Sequence, residues 1–431
     1  MPSQLKDSAI LALGRGMVAV YGALGDPGAK LFRKSSKKDP YPLYEKIRAG
    51  GTLVPTRLGL LMTAEHAIAA EVLRDPRWGI LAPADMAMID ETAHAADGRV
   101  LVNPLATSFL MRNPPDHTRL RRNVGGWFTP RALREQMPAI ERVIEDFLDR
   151  AEEKGTFDLV DDFAKRVPVQ VIADLLGVPS SDHESFIRWG TALVNSIDGV
   201  RDMKELRLLQ DTLREFDAFL GGLIEHRRRT PGDDIVSHLV STDDLALDDL
   251  IATTELLLVA GFETTVNLIG TATNAVLGHP EVREKLIADP AYAERVVEET
   301  LRWDPPVQYV VRVPFEPLEL AGRRLAANQP VMMILAAANR DPEVFADPHR
   351  FDPDREDVGK HLAFSSGIHY CLGANLARME AAAAVRGLFR RFPGLRAAGP
   401  VRRRPSPTIR GALHLPVNTG VTKRSLAVDK S

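Results

Sequence analysis

Helical periodicity dominates the pattern of apolar and polar positions. Residues 131–151 set Ile140, Ile144, Phe147 and Leu148 on one face with charges opposite, which predicts an amphipathic helix. Residues 203–229 predict a second long amphipathic helix, closed by Arg227, Arg228 and Arg229, charges that suit a helix C-terminus. Residues 248–277 open with Asp248 and Asp249 and then turn apolar almost all round, as a helix buried at the centre of a fold does. Helices over 281–288 and 291–303 follow, the second stopped by Asp304-Pro305-Pro306, and another is expected over 372–391.

Strand signals are short: 307–313, 318–320, 330–338, a tail at 412–417, and an early pair flanking Thr52–Leu61. No strand–helix alternation, internal repeat or low-complexity linker is present. The fold class expected is mainly α with a small antiparallel β part. Residues 81–113 carry little regular signal, and a loop of that length is usually functional or mobile. A chain of 431 residues exceeds the usual reach of one core, yet no change of composition marks a boundary. One domain over 40–418 is therefore expected, with an N-terminal surface or docking segment (1–39) and a C-terminal tail (419–431). The apolar run Ala9–Leu13 is broken by Gly14 and Arg15 and is too short to span a bilayer, so no transmembrane segment is expected.

A net charge of −3 gives no drive toward nucleic acid or an anionic membrane. The single cysteine, Cys371, excludes an intrachain disulfide and a metal site built from several thiolates, and fits a reducing, cytoplasmic setting. The glycine-rich dinucleotide and phosphate loops, the paired-histidine zinc motif and the nucleophile-elbow serine are all missing. Any electrons used must come from outside the chain.

Cys371 lies in FSSGIHYCLG, residues 364–373, just before the helix over 372–391. Gly367 and Gly373 permit tight turns and close approach of backbone to a flat group. A helix N-terminus favours a thiolate. Two chemical readings stand: a nucleophile with His369 as its base, or a haem iron ligand.

The stretch resembles the haem-binding signature of cytochrome P-450 monooxygenases, F-x-x-G-x-[HR]-x-C-x-G. Phe364, Gly367, His369, Cys371 and Gly373 occupy its fixed positions, and Ser365 stands where the commonest form has glycine. The resemblance implies a single triangular fold, haem b (iron protoporphyrin IX) ligated through its iron by Cys371, and dioxygen as co-substrate.

Further stretches carry it. AGFETT, Ala260 to Thr265, lies in the buried helix. Gly261 there costs about 1 kcal/mol against alanine, and Glu263 is a carboxylate in an apolar segment. Read alone, Thr264 and Thr265 are hydroxyls bonding back to the preceding turn. The stretch resembles the family's distal-helix motif, which implies an oxygen groove at Ala260 and Gly261, Thr264 as the oxygen-activation hydroxyl and Glu263 as the proton-relay acid. EETLR resembles the family's E-x-x-R pair, giving Glu299 and Arg302, and FADPHRFDPDR the segment that adds a second arginine, Arg350, to a structural ionic cluster. In PPDHTRLRR, His117 and Arg121 stand four apart; with Arg312 and His369 they match the family's haem-propionate donors.

The implied reaction is hydroxylation or epoxidation of an apolar organic substrate. A separate ferredoxin and ferredoxin reductase would supply electrons. Nine arginines over 372–410 and six over 112–134 offer basic surface for such a donor. By family position Met86, Met88, Phe109, Leu110, Phe186, Val259, Val307 and Ile409 would line the substrate pocket. The rival readings are a peroxide-driven haem peroxygenase and a non-enzymatic haem sensor or carrier.

Overall fold

The computed structural model describes residues 2–33, 36, 38–81, 92–95, 98–101, 107–179, 182–242 and 245–420. The apolar segment near the chain's middle forms a helix, Leu247–Gly278, buried along nearly its whole length. It packs against Arg166–Leu176, His183–Ser196, Ala293–Trp303 and Ala374–Arg391. By length and composition it could cross a membrane, but 83% of its apolar window is buried inside the protein, as a core helix requires.

Two other long helices form where periodicity placed them. Thr129 caps Pro130–Lys154, and Gly155 ends it with φ +69°. The stripe Leu133, Ile140, Ile144 and Leu148 is buried; Phe147 sits at its half-buried edge. That stripe lies on Ala374–Arg391, whose run Ala381–Ala384 is buried. A Cβ at Gly387 would stand 3.1 Å from both Ile144 and Leu148, so small residues let the two helices approach closely. Met203–Arg229 starts at Asp202, whose carboxylate accepts from the amides of Lys204 and Glu205 at 2.9 Å.

The β part is small. Its largest sheet runs in the order 54–55, 61–63, 331–333, 310–314, 78–79. Pairings are antiparallel apart from 61–63 with 331–333, which is parallel. The expected strand 330–338 divides: Val331–Met333 is a strand, whereas Leu335–Ala338 is a helical turn. A continuous apolar run has no period to separate the two.

The N-terminal helix runs through Gly14 and Arg15 to Ala23; Ile10 and Leu11 lean on the core while Leu13, Met17 and Val20 are exposed. At the other end Thr419 is buried and its amide donates to the Gly155 carbonyl at 2.8 Å, so ordered packing reaches past 418.

Candidate active site

The loop Phe364–Gly373 is held by its own backbone. The Cys371 amide donates to the Phe364 carbonyl at 2.9 Å, and Tyr370 to Gly367 at 3.1 Å. Gly367 has φ +68°, and a Cβ there would lie 2.2 Å from the Leu73 carbonyl oxygen, so no other residue fits. Gly373 has an ordinary φ of −85°, and no protein atom lies within 4 Å of the Cβ position. Ser365 takes φ +63°, a left-handed conformation that explains the usual glycine at this position; its Oγ is buried without a partner.

The helix after the loop begins at Ala374, three residues beyond the cysteine. Cys371 is accessible at its surface, yet sits deep among protein atoms. That burial pushes its thiol up; the Gly373 amide, Arg121 and Arg378 pull it back. The helix N-terminus alone therefore does not hold a thiolate, and a bound metal ion would be what deprotonates it.

Beside the loop stand donors with no anion. The rings of His117 and His369 have centroids 4.3 Å apart. Both ring nitrogens of His117 and Nε2 of His369 are buried without hydrogen-bond partners. Burial, and then the neighbouring cations, lower both imidazoles, His369 to about 3. Arg312 is buried, bonds the Val311 carbonyl at 2.9 Å and is pulled by burial down to about 10. Arg121 donates to the Tyr370 carbonyl at 2.5 Å. None of the four meets a carboxylate within 4.0 Å among the described residues. Buried donors left unpaired are costly, and this set suits two carboxylates arriving together. The residues thus fit a haem: these donors would hold its propionates and Cys371 Sγ its iron. His369 lies in this cluster, its ring against that of His117.

On the buried central helix, Ala260 is exposed and Gly261 and Thr264 are half-exposed, interrupting its buried surface. Thr264 Oγ1 donates to the Ala260 carbonyl at 3.2 Å and Thr265 Oγ1 to Gly261 at 3.5 Å, the back-bonding read from the sequence. A Cβ at Gly261 would stand 3.0 Å from Ile172 Cγ1, so the glycine also serves close packing with Arg166–Leu176. Glu263 is not a free acid. It is buried, accepting from Arg404 Nη2 at 2.7 Å and Thr191 Oγ1 at 3.1 Å. Arg404 Nη1 in turn donates to Asn195 Oδ1 at 2.9 Å. No local pattern marks Arg404 or Thr191, and both were missed.

Glu299 and Arg302 are fully buried and form a two-pronged ion pair at 2.7 and 2.8 Å. The second arginine is corrected. Arg355, not Arg350, reaches Glu299, at 3.3 Å; Arg350 is exposed and offers only its backbone carbonyl to Arg302, at 3.0 Å. A neighbouring pair was also missed: Glu298 accepts from Arg378 at 2.7 Å and faces His361 Nε2 at 3.0 Å. Burial would raise this carboxyl, but those two hydrogen bonds and charges hold it at about 2. The Arg378 guanidinium lies 4.5 Å over the Phe364 ring, tying the pair to the cysteine loop.

The expected pocket residues separate. Met86 and Met88 fall outside the described residues. Phe109 is buried against His117, ring centroids 6.3 Å apart, and Leu110 is exposed. Val307 and Ile409 pair with each other across an isolated bridge. Phe186 is corrected to core: it packs among Trp189, Phe216 and Phe219. Val259 is likewise fully within the core. The basic surface also shrinks, because Arg386, Arg390 and Arg391 pair with Glu141, Glu145, Asp149 and Glu152, and Arg112 and Arg119 share Asp249.

Comparison with known proteins agrees with this geometry. The family model "Cytochrome P450" matches residues 91–397. The chain is 36% identical over 394 residues to the cytochrome P450 monooxygenase PikC of Streptomyces venezuelae, covering 88% of this chain and 91% of that protein. It is 38% identical over 323 residues to the 6-deoxyerythronolide B hydroxylase of Saccharopolyspora erythraea, covering 73% and 78%. The crystal structure of P450BioI in complex with an acyl carrier protein ligated to hexadec-9Z-enoic acid superposes with a TM-score of 0.83 at 33% identity, over 89% of this chain and 99% of that one. The chain belongs to the cytochrome P450 family of haem monooxygenases.

Proposed function

We propose that this enzyme inserts one oxygen atom of dioxygen into an apolar organic substrate, in the cytoplasm, with electrons from a separate ferredoxin and its reductase. The observation that carries the reading is the accessible Cys371 beside the anion-less His117, His369, Arg312 and Arg121. In hydroxylation a C–H bond becomes C–OH, the second oxygen atom leaves as water, and two electrons and two protons are consumed.

Haem b, once bound, supplies the iron at which dioxygen is activated. Cys371 would bind that iron through Sγ, and His117, His369, Arg312 and Arg121 would hold and orient the propionates. Ala260 and Thr264 present the accessible face of the central helix to the reaction side. Thr264 Oγ1 holds a proton there and exchanges its bond to the Ala260 carbonyl for one to the reacting group. Glu263 would pass a proton to that hydroxyl after its bond to Arg404 opens and it has first taken up that proton from solvent. Val307 and Ile409 offer apolar contact to substrate. Glu299, Arg302 and Arg355 tie Ala293–Trp303 to the chain over 339–355. The catalytic domain spans 40–420, with the N-terminal helix on its surface.

A compound screen for ligand-induced Soret shifts, followed by product analysis with a surrogate ferredoxin and reductase, tests the reading. A hydroxylated or epoxidised product formed with one NADPH per product supports it. Turnover with peroxide alone, or no NADPH consumption with any shifting ligand, sinks it.

A further inference from the structure

The segment 401–410, VRRRPSPTIR, carries four arginines in ten residues. Its strand Arg402–Arg403 pairs with Ala412–His414, and the register shifts between Arg402 and Arg403. The strand ends at Arg403, and the consecutive Arg403 and Arg404 both line one cavity of about 710 Å³. Arg340 and Arg410 join them on its wall, with Lys38 from the N-terminal side.

The acids there do not balance these cations. Asp304 is taken up by the Tyr41 hydroxyl and by Arg410 Nε, each at 2.7 Å, and lies 3.7 Å from Arg403. Asp39 is exposed and accepts the Tyr41 amide at 3.2 Å. Arg404 uses Nη2 on Glu263, and its Nε is buried without a partner although the residue is only 7% exposed. Arg340 is 6% exposed; its guanidinium bonds the Trp303 carbonyl and stacks on Tyr41 at 3.4 Å and Trp303 at 4.8 Å. It has no carboxylate within 4.0 Å among the described residues. Burial and then Arg410 hold the Arg403 guanidinium below its ordinary value. Buried guanidinium groups are stable when an anion pairs with them.

We propose that this cavity is a binding site for a small polyanion bearing phosphate or carboxylate groups. Arg403 supplies the guanidinium fork for a planar or tetrahedral oxyanion, Lys38 a second cation, and Arg404, with both Nη atoms already engaged, only its unpartnered Nε and its charge, as Arg340 does its charge. The volume suits an organic ligand. The site is separate from the His117–His369–Arg312 cluster, sharing no residue with it.

Calorimetric titration of the haem-loaded full-length protein with pyrophosphate, and separately with citrate, at constant ionic strength tests this. Haem loading matters because the propionate donors would otherwise draw an anion themselves. Expected is saturable single-site binding of at least one probe, weakened about tenfold or more by Arg403→Glu or Lys38→Glu, and unchanged by Arg229→Glu on a distant surface. The tighter probe identifies phosphate or carboxylate as the preferred group. No saturable heat with either probe, equal affinity in both cavity variants, or equal weakening by Arg229→Glu overturns the site.

Discussion

Glu263 and Arg404 meet at 2.7 Å with both side chains almost wholly buried, 141 residues apart in the chain. The contact joins the central helix to the segment after the last long helix. Removing Arg404 leaves a buried carboxylate without its cation. Arg404→Ala is expected to lower stability by about 3–5 kcal/mol, while Arg404→Lys recovers part of that. Chemical denaturation of the three proteins measures it; equal midpoints for Arg404→Ala and the parent would show the pair to be energetically silent.

Thr264→Ala removes the hydroxyl on the accessible face of the central helix. Electron consumption should continue while product falls at least severalfold, the balance appearing as hydrogen peroxide. Product, peroxide and NADPH measured in the same reaction give the split. Unchanged coupling would remove Thr264 from the oxygen-activation role.

Arg355 and Arg350 differ sharply in their contacts, although both sit in the same short stretch. Arg355→Ala should destabilise by roughly 3–5 kcal/mol and lower haem retention, because Glu299 loses a buried partner. Arg350→Ala should stay within about 0.5 kcal/mol, as exposed side chains usually do. Thermal melts of the two variants decide; equal losses would contradict the assignment.

Glu298, like Asp75, Asp202, Glu215 and Asp354, is a carboxyl held below its ordinary value, so its charge state makes stability depend on acid. Its folded value is about 2 against an ordinary value of 4.5. A depressed carboxyl contributes stability above its unfolded value and loses it as pH falls through the folded one. The loss should therefore fall between about pH 4.5 and pH 2, and be at most on the order of 3 kcal/mol. In Arg378→Ala that part of the pH–stability curve should flatten. A curve of the same slope in the variant would assign the acid sensitivity elsewhere.

Ser365 holds φ +63° with a buried unpartnered hydroxyl. Ser365→Gly should stabilise the fold by about 1 kcal/mol, since glycine enters this region without a Cβ clash. A lower melting temperature in the variant would mean that the hydroxyl makes a contribution that outweighs the strain.

Local pattern carried much of this far. Met203–Arg229 and Leu318–Leu320 fall where periodicity set them, and the buried central helix differs by one residue at each end. Glu299 and Arg302 share their i, i+3 spacing with exposed pairs such as Glu225 and Arg228, so it was the family resemblance and their place before Pro305-Pro306 that singled them out. What failed has no local signature. Arg350 and Arg355 look alike in sequence, and only burial separates them. Thr191 and Arg404 are 72 and 141 residues from Glu263, so nothing near it announces either. Phe186 is apolar in a helix expected beside the pocket, but its face turns to Phe216 and Phe219. The arginines of 372–410 suggested a basic face until Pro130–Lys154 supplied acids to three of them.

The most direct measurement is the absorption spectrum of the reduced protein under carbon monoxide, for the parent and Cys371→Ser. Expected is the red-shifted Soret band of a haem-thiolate protein in the parent and its loss in the variant, with haem still bound. A parent lacking the band, or a Cys371→Ser protein that keeps it, would contradict iron ligation by this cysteine.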